Sequence, residues 1–367
     1  MFLRRVFPSF AAVCFFAALF FYAAAAREGA VYGLQLAFST AIPALFPFLA
    51  ASALLLDTGA LDALHRLCTK PLARLYGLPG AAAAPLLLGL TGGYPVGAAA
   101  AAALYREGTL TKPQAERLLG FCNNTGPAFI VGVCGAGVLG SVRIGLLLYA
   151  IHAASALLTG LVMAHGVPVR QTETRTVKPR YALPQALVRA CEQAAQTSIK
   201  ITAFLTLFAV LTAILDASGL LKRLFVPFAG LCALLGMPED AGWPLLYGAL
   251  ELTRGLAILP EAALSARFLL PVCSALLAFG GLSIWCQSIS VLADTGLSLR
   301  RFACGKLLHT ALAAALTTLC VHAMPARIPT FAPTVLQSPA ASLPGLSIWV
   351  VIILFTITYG KHRCHRL

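Results

Sequence analysis

Two charged residues stand inside an apolar stretch in the second half of this chain. Glu251 and Arg254 are three residues apart, and the segments Trp243–Leu250 and Leu256–Leu259 on either side are apolar. At this spacing on a helix the two side chains share one face and can form an ion pair. Ionisable groups within a membrane are costly and usually functional, and a guanidinium binds carboxylate or phosphate through two hydrogen bonds. We expect Arg254 to bind an anionic solute with Glu251 beside it, although a structural ion pair between helices would give the same pattern.

Glycine and proline interrupt an apolar run in the first half. The run Gly77–Tyr105 contains the segment Thr91-Gly92-Gly93-Tyr94-Pro95, which would break a helix. Within hydrocarbon, a break is tolerated only where it is buried in protein or lines a wet cavity, and its free N–H and C=O groups can then bind a solute. The alternative is a kink that only permits close helix packing.

Polar side chains follow at two further positions next to apolar runs. Asn123-Asn124-Thr125-Gly126-Pro127 can donate and accept hydrogen bonds, which suits a polar solute or an ion, but a capped turn at the membrane surface is equally open. In the second half, Gly280-Gly281 precedes the counterparts Ser283, Gln287 and Ser288. We expect the Cys122 side chain, next to the first-half loop, only to pack. The candidate substrate-binding residues are Thr91, Gly92, Gly93, Tyr94, Pro95, Asn123, Asn124, Thr125, Gly126, Glu251, Arg254, Gly280, Gly281, Ser283 and Gln287.

The composition shows which kind of element must position these residues. Hydrophobic residues make up 59% of the 367 residues and charged residues only 11%, against about 25% in soluble domains. A membrane-spanning helix needs roughly 20 mostly apolar residues. Uncharged runs of that order are Val6–Ala26, Gly29–Leu56, Gly77–Tyr105, Leu118–Val142, Phe268–Ala293 and Ile328–Gly360. The sequence therefore predicts an all-α polytopic membrane protein and excludes a soluble domain.

The formal net charge of +14 does not indicate nucleic-acid binding. The basic residues lie between the apolar runs, as in loops that face the cytoplasm and anionic headgroups. They include Arg4, Arg5, Arg66, Lys70, Arg74, Arg170, Arg175, Lys178, Arg180, Arg300, Arg301, Lys306, Lys361, Arg363 and Arg366. No Cys-x-x-Cys pair, histidine spacing suited to a metal, Walker A loop, His-Glu-x-x-His or Gly-x-Ser-x-Gly motif occurs. We therefore expect no enzyme activity, no cofactor and no metal.

Five parts are predicted along the chain. They are an N-terminal transmembrane helix in residues 1–29, a first repeat in 30–165, a polar linker in 166–183, a second repeat in 184–323, and a Pro-rich loop with a C-terminal transmembrane helix and basic tail in 324–367. The start of the chain resembles a signal peptide, but its apolar run is long enough to span, so we expect it to be retained. Segments 57–76 and 111–119 have the pattern of amphipathic helices in the membrane interface.

The two halves share a sequence order that indicates an internal duplication. The segment Leu215-Asp216-Ala217-Ser218-Gly219-Leu220 echoes Leu56-Asp57-Thr58-Gly59-Ala60-Leu61, and Pro79 precedes Gly89 by the same interval that separates Pro238 from Gly248. Duplicated membrane halves with Gly/Pro-broken segments at matching positions are typical of secondary transporters.

Four segments resemble the YlbJ-type sporulation integral membrane proteins. They are residues 90–98 (Leu-Thr-Gly-Gly-Tyr-Pro-Val-Gly-Ala), residues 116–130 around Asn123-Asn124-Thr125-Gly126-Pro127, and Phe279-Gly280-Gly281-Leu282-Ser283-Ile284 with Gly305-Lys306-Leu307-Leu308. The resemblance covers about residues 30–325 and implies two inverted gate repeats with broken or re-entrant helices. It also implies kinship with concentrative nucleoside transporters and a multi-pass protein of the bacterial cytoplasmic membrane or a spore-associated membrane. Family members are implicated in moving dipicolinate toward the developing spore, a substrate that does not transfer automatically to this chain.

These observations together predict a transporter of a small polar, anionic metabolite that binds between the repeats. We expect lipid bilayer and solute as partners, with Na⁺ or H⁺ as a coupling ion, no nucleic acid and a homo-oligomer as an open option. The alternatives are a channel-like pore, a nucleoside transporter, and a non-transporting membrane scaffold for spore or envelope assembly.

Overall fold

The computed structural model describes residues 2–165, 181–262 and 264–323, and this part of the chain contains helices and turns and no strands. The α-helices of the first half are α1 (Phe2–Phe21), α2 (Ala23–Leu36), α3 (Ile42–Asp57), α4 (Asp62–Tyr76), α5 (Ala83–Thr91), α6 (Val96–Arg106), α7 (Lys112–Leu119) and α8 (Val142–Ala164). π-Helices cover Ala37–Ala41 and Ala128–Val138, and a 3₁₀ turn covers Gly80–Ala82.

The second half follows with α9 (Leu183–Ala217), α10 (Leu220–Leu234), α11 (Gly242–Leu250), α12 (Leu252–Ile258), α13 (Ala266–Phe279), α14 (Gly281–Ser290) and α15 (Arg300–Ala323). 3₁₀ turns cover Glu239–Ala241 and Leu259–Ala262. Most of the predicted polar linker and all of the predicted Pro-rich loop, C-terminal transmembrane helix and basic tail lie outside the described residues.

Five helical stretches among the described residues are long and apolar enough to cross a membrane. They are Ala23–Asp57, Val142–Ala164, Leu183–Ala217, Ala266–Ser290 and Arg300–Ala323. A sixth is reached if Leu64–Tyr76 and Gly80–Thr91, which are bent by 97°, count as one broken span. The prediction of an all-α polytopic membrane fold is confirmed.

The N-terminal segment forms helix α1 over Phe2–Phe21, where the sequence predicts a span over Val6–Ala26. Helix α1 ends at Phe21, because Tyr22 leaves the helical region with φ −119° and ψ 38°. The first candidate span found among the described residues begins at Ala23, so the predicted boundary at residue 29 falls inside a helix. A transmembrane helix at the N-terminus stays a prediction.

The order of elements in the first half recurs in the second. Helices α4 and α10 each have 15 residues, each is followed by a three-residue 3₁₀ turn, and α5 and α11 each have nine residues. Each of these nine-residue helices then leads through a break into a further helix. This matches the order on which the predicted duplication rests, while the inverted arrangement of the repeats stays a prediction.

The two predicted amphipathic segments form α4 and α7. Helix α4 ends where Gly77 takes φ +60°, a left-handed conformation that glycine adopts without steric cost. A capping box between Thr111 and Gln114 starts α7. Arg117 on α7 donates hydrogen bonds to the carbonyls of Tyr76 and Gly77 at 2.9 and 3.3 Å, which ties α7 to the end of α4.

Helix α15 is central to the packing because it lies against α7, α8 and α13. A Cβ added to Gly305 would overlap the backbone of Gly120, so α15 approaches the end of α7 as closely as a glycine allows. Residue 306, the next position on α15, is buried as well. Helices α2 and α3 pack along α9 and form the other large contact between the halves.

Candidate functional site

The first break lies between α5 and α6, as the sequence predicted. It comprises Gly92, Gly93, Tyr94 and Pro95, with a cis peptide bond before Pro95 and φ +78° at Gly93. A Cβ on Gly93 would stand 2.9 Å from the backbone nitrogen of Gly126. The predicted polar loop therefore packs directly on the break. The hydroxyl of Thr91 bonds back to the carbonyl of Leu87 at 2.8 Å, inside its own helix.

The polar loop Asn123–Gly126 is buried in the protein and is not exposed on its surface. Asn123 and Asn124 have exposed fractions of 1% and 0%. Asn123 Oδ1 accepts a hydrogen bond from the Ala98 N–H at 3.3 Å, and its Nδ2 donates to the Ser288 hydroxyl at 2.6 Å. Asn124 Nδ2 donates to the Phe121 carbonyl at 2.9 Å, and its buried Oδ1 has no hydrogen-bond partner in the part of the chain that the structure describes.

The second break contacts the first. Gly280 and Gly281 have φ +82° and +78°, between α13 and α14. A Cβ on Gly280 would stand 2.9 Å from the hydroxyl of Tyr94, and a Cβ on Gly281 would stand 2.8 Å from the carbonyl oxygen of Gly248. The hydroxyls of Tyr94 and Thr125 both reach the carbonyl of Leu277, at 3.4 and 2.7 Å. The structure thus brings together residues that are more than 150 positions apart in the chain.

Lys306 lies at this junction and was missed by sequence reasoning. Its sequence context predicts a basic loop residue, but it is the seventh residue of α15 and its exposed fraction is 1%. Its Nζ donates to the Tyr94 hydroxyl at 2.7 Å and to the Asn123 carbonyl at 3.3 Å. The available signal was the uncharged stretch that follows Lys306 along the helix.

Two buried histidines adjoin the same loop and were also missed. His152 on α8 and His309 on α15 have ring centroids 4.6 Å apart. His152 Nε2 accepts from the Thr125 N–H at 3.1 Å, so a neutral ring carries its proton on Nδ1, which has no partner among the described residues. His309 Nε2 lies 3.1 Å from the carbonyl oxygen of His152, which requires a proton on that nitrogen.

Glu251 and Arg254 are arranged differently from the predicted pair on one helical face. Glu251 forms the break between α11 and α12, and its carboxylate accepts from the backbone N–H groups of Thr253 and Arg254 at 2.9 and 2.7 Å. No ion pair joins its carboxylate to the Arg254 guanidinium, which lies 4.7 Å from the Tyr247 ring and 5.8 Å from the Tyr32 ring. The helix cap explains the difference, because it draws the carboxylate to the start of α12.

Ser283 and Gln287 lie on α14 and are buried. Gln287 Nε2 lies 3.4 Å from the Ser283 hydroxyl, so the two side chains interact with each other. Ser288 on the same helix reaches Asn123 of the first half. Among the described residues, no group of three or more His, Cys, Asp or Glu side chains could hold a metal ion.

Fold and site together define an integral, multi-pass α-helical membrane protein whose two chain breaks meet around a buried lysine. The sequence profile of the Gate family, described as nucleoside recognition, matches residues 38–166, which include the first break and the polar loop. The chain is also similar to the sporulation integral membrane protein YlbJ of Bacillus subtilis strain 168. The two are 27% identical over 315 residues, across 80% of this chain and 77% of YlbJ. The predicted resemblance to YlbJ-type proteins is confirmed, while no solved structure matches significantly.

Proposed function

We propose that this protein is a secondary transporter of a small carboxylate anion, which binds where the two chain breaks meet. The observation that carries the proposal is the burial of the Lys306 amine. Its amine is buried among neutral groups, and none of the described ion pairs or hydrogen bonds joins it to an acidic side chain. A buried ammonium without a counter-charge costs several kcal/mol, and an anionic solute would offset that cost.

The hydrogen bonds of Lys306 are compatible with an added ligand. An ammonium group has three donors. Two are used by Tyr94 and by the carbonyl of Asn123, each of which belongs to the first break or to the loop packed on it. The third can meet a carboxylate oxygen, and the Nδ1–H of His152, which has no partner among the described residues, offers a further donor.

Movement of the solute would come from the breaks. Tyr94 contacts Gly280 of the other half, and Lys306 from the second half holds two groups of the first. A ligand that replaces these contacts would change how the halves are joined, which is the property that alternating access needs. The prediction that the repeats move against each other rests on this geometry.

Arg254 stays a candidate for the anion site, and its environment differs from that of Lys306. The Arg254 side chain is partly exposed and already stacks on Tyr247, so its charge is compensated in part. Lys306 Nζ also lies 4.8 Å from the centroid of the Tyr94 ring, but Lys306 is buried from solvent whereas Arg254 is not. We therefore assign the principal anion contact to Lys306 and treat Arg254 as a site where the solute passes.

The test is uptake of labelled dipicolinate, small dicarboxylates and uridine into proteoliposomes, under sodium, proton or no gradients. Lys306→Gln is expected to lower kcat/KM for the transported anion by roughly 10- to 100-fold, because a hydrogen bond to a charged group contributes about 1.5–3 kcal/mol. Arg254→Gln is expected to have a smaller effect. Lys222→Gln is the matched control, since Lys222 is an exposed lysine on α10.

Each alternative has its own outcome in this assay. Uptake that does not saturate would indicate a channel-like pore, and absence of uptake under every gradient would favour a membrane scaffold. If Lys306→Gln takes up the anion at the full rate and Arg254→Gln loses most of its uptake, Arg254 makes the principal anion contact. YlbJ is named as a sporulation protein, so we extend the proposal to a role in spore formation if the host forms spores.

A nucleoside is the second candidate solute, because the matching Gate family is described by nucleoside recognition. Asn123, Asn124 and Thr125 could bind the base and ribose of an uncharged solute through amide and hydroxyl groups. Saturable uridine uptake that Lys306→Gln leaves unchanged would support a nucleoside and argue against a carboxylate as the solute.

A further inference from the structure

A cavity of about 260 Å³ lies between α3, α4, α6 and α9, apart from the junction at Lys306. One face of α6 lines it from end to end, through Val96, Ala99, Ala100, Ala103 and Glu107. Eleven residues of helix are about 16 Å long, so the cavity follows α6 from the first break to the end of the helix. Pro95 belongs to the lining and marks the inner end.

Most residues that line the cavity are apolar. Arg189 on α9 is a positively charged residue of the lining. The face of α9 that lines the cavity carries Arg189, Gln193 and Thr197 at a helical spacing of four. Arg189 Nε lies 3.2 Å from Asp57 Oδ2 at the end of α3, and its guanidinium lies 4.2 Å from the ring centroid of Tyr181. The Asp57 side chain is 11% exposed and that of Arg189 is 43% exposed.

Arg189 can bind a second carboxylate beside Asp57. A single contact at 3.2 Å leaves most of the guanidinium fork free to bind another carboxylate with two hydrogen bonds. Asp57 is nearly buried and would keep its contact, whereas the Arg189 side chain is 43% exposed. An incoming carboxylate could therefore bind the free N–H groups of Arg189 while its body enters the apolar part of the cavity.

We propose that this cavity is the outer binding site and access path of the anion, with Arg189 as its first carboxylate contact. The inference rests on the proposed transport of a carboxylate and adds where that solute first binds. A small carboxylate with an apolar or aromatic body fits a lining that is apolar except for Arg189, Gln193, Thr197 and the acidic and histidine side chains Asp57, Glu107 and His65. From the inner end at Pro95, the solute would reach the first break.

Cysteine labelling on α6 tests whether water-borne molecules reach the cavity. Ala100 and Ala101 are both buried on α6, but only Ala100 lines the cavity. Permeabilised vesicles give a water-soluble anionic thiol reagent access to both sides of the membrane. In them, Ala100→Cys is expected to react with this reagent at least tenfold faster than Ala101→Cys. The parent protein gives the baseline from native cysteines, and Ala99→Cys replaces Ala100→Cys if that variant does not fold. Equal labelling at the two positions would overturn the access path.

Protection from labelling tests the role of Arg189. Benzoate is expected to slow the reaction of Ala100→Cys several-fold, while its neutral isostere benzamide is not. Arg189→Gln should abolish protection by benzoate, and Arg223→Gln, which alters an exposed arginine on α10, should retain it. Equal protection by benzamide, or protection that survives Arg189→Gln, would refute the carboxylate contact. These labelling measurements do not require transport. Failure of the uptake assay would therefore contradict the proposed transport, whereas failure of labelling or protection would contradict this binding site.

Discussion

The carbonyl oxygen of Cys122 lies between two glycines, Gly89 on α5 and Gly97 on α6. A Cβ added to either glycine would overlap this carbonyl, which is backbone and cannot move aside as a flexible side chain can. The close approach lets the loop that carries Asn123 and Asn124 enter between the two helices of the first break. The prediction that Cys122 only packs concerned its side chain, and here its backbone decides where the loop lies.

Gly89→Ala is therefore expected to lower the stability of the protein, whereas Gly132→Ala is not. Overpacking by one methyl group costs about 1–3 kcal/mol when the neighbour is rigid. Gly132 has no atom within 4 Å of its added Cβ and no positive φ, so it provides a matched control. The midpoint of thermal unfolding in detergent measures the difference. An unchanged midpoint for Gly89→Ala would mean that the loop does not lie between these helices.

At the scale of elements, the buried side chain of Arg117 ties α7 to the end of α4 by hydrogen bonds. Arg117 is 4% exposed and provides donors to the last carbonyls of α4, where a positive charge also suits the helix dipole. Burial, and then the neighbouring Arg301, lower the pKa of Arg117, but an arginine stays protonated at neutral pH. The contact fixes where the polar loop after α7 begins.

Arg117→Met is expected to destabilise the fold by about 1–3 kcal/mol, because the α4 carbonyls lose charged donors while remaining buried. Arg106→Met is the comparison, since Arg106 pairs with the exposed Asp294 at 2.6 Å and should matter little. The hydrogen bond from Arg106 lowers the pKa of Asp294, so any contribution of this pair is present at neutral pH and is lost as the pH falls through that pKa. Unfolding midpoints measured at pH 7 and pH 3 check both statements; equal losses for the two variants would contradict the assignment.

Over the whole molecule, composition and run length were sufficient to predict the membrane class, and Gly and Pro positions located both breaks. These signals are local, because each depends on residues within one helix or turn. The meeting of the breaks could not be derived in this way, since Lys306 and Tyr94 are 212 positions apart and come together only through packing. Lys306 follows Arg300 and Arg301 and so has the sequence context of a loop residue, whereas it lies in α15 and contacts Tyr94 and Asn123 in the interior.

The two halves are also joined by a pair of buried thiols, which offers a test of movement between them. Cys134 in the π-helix Ala128–Val138 and Cys273 on α13 have Sγ atoms 3.1 Å apart. Copper phenanthroline is expected to oxidise the pair to a disulfide after a shift of about 1 Å. If transport needs the halves to move against each other, oxidation should reduce uptake several-fold and a reductant should restore it.

Cys273→Ala is the control for this experiment, because it keeps Cys134 and the remaining cysteines but cannot form the bond. Its uptake should be insensitive to copper phenanthroline, and peptide mapping should find the cross-link in the parent alone. Full uptake by a parent shown to be cross-linked would mean that the π-helix and α13 move as one body. The moving boundary would then lie elsewhere, and the contact of α2 and α3 with α9 is the other large one between the halves.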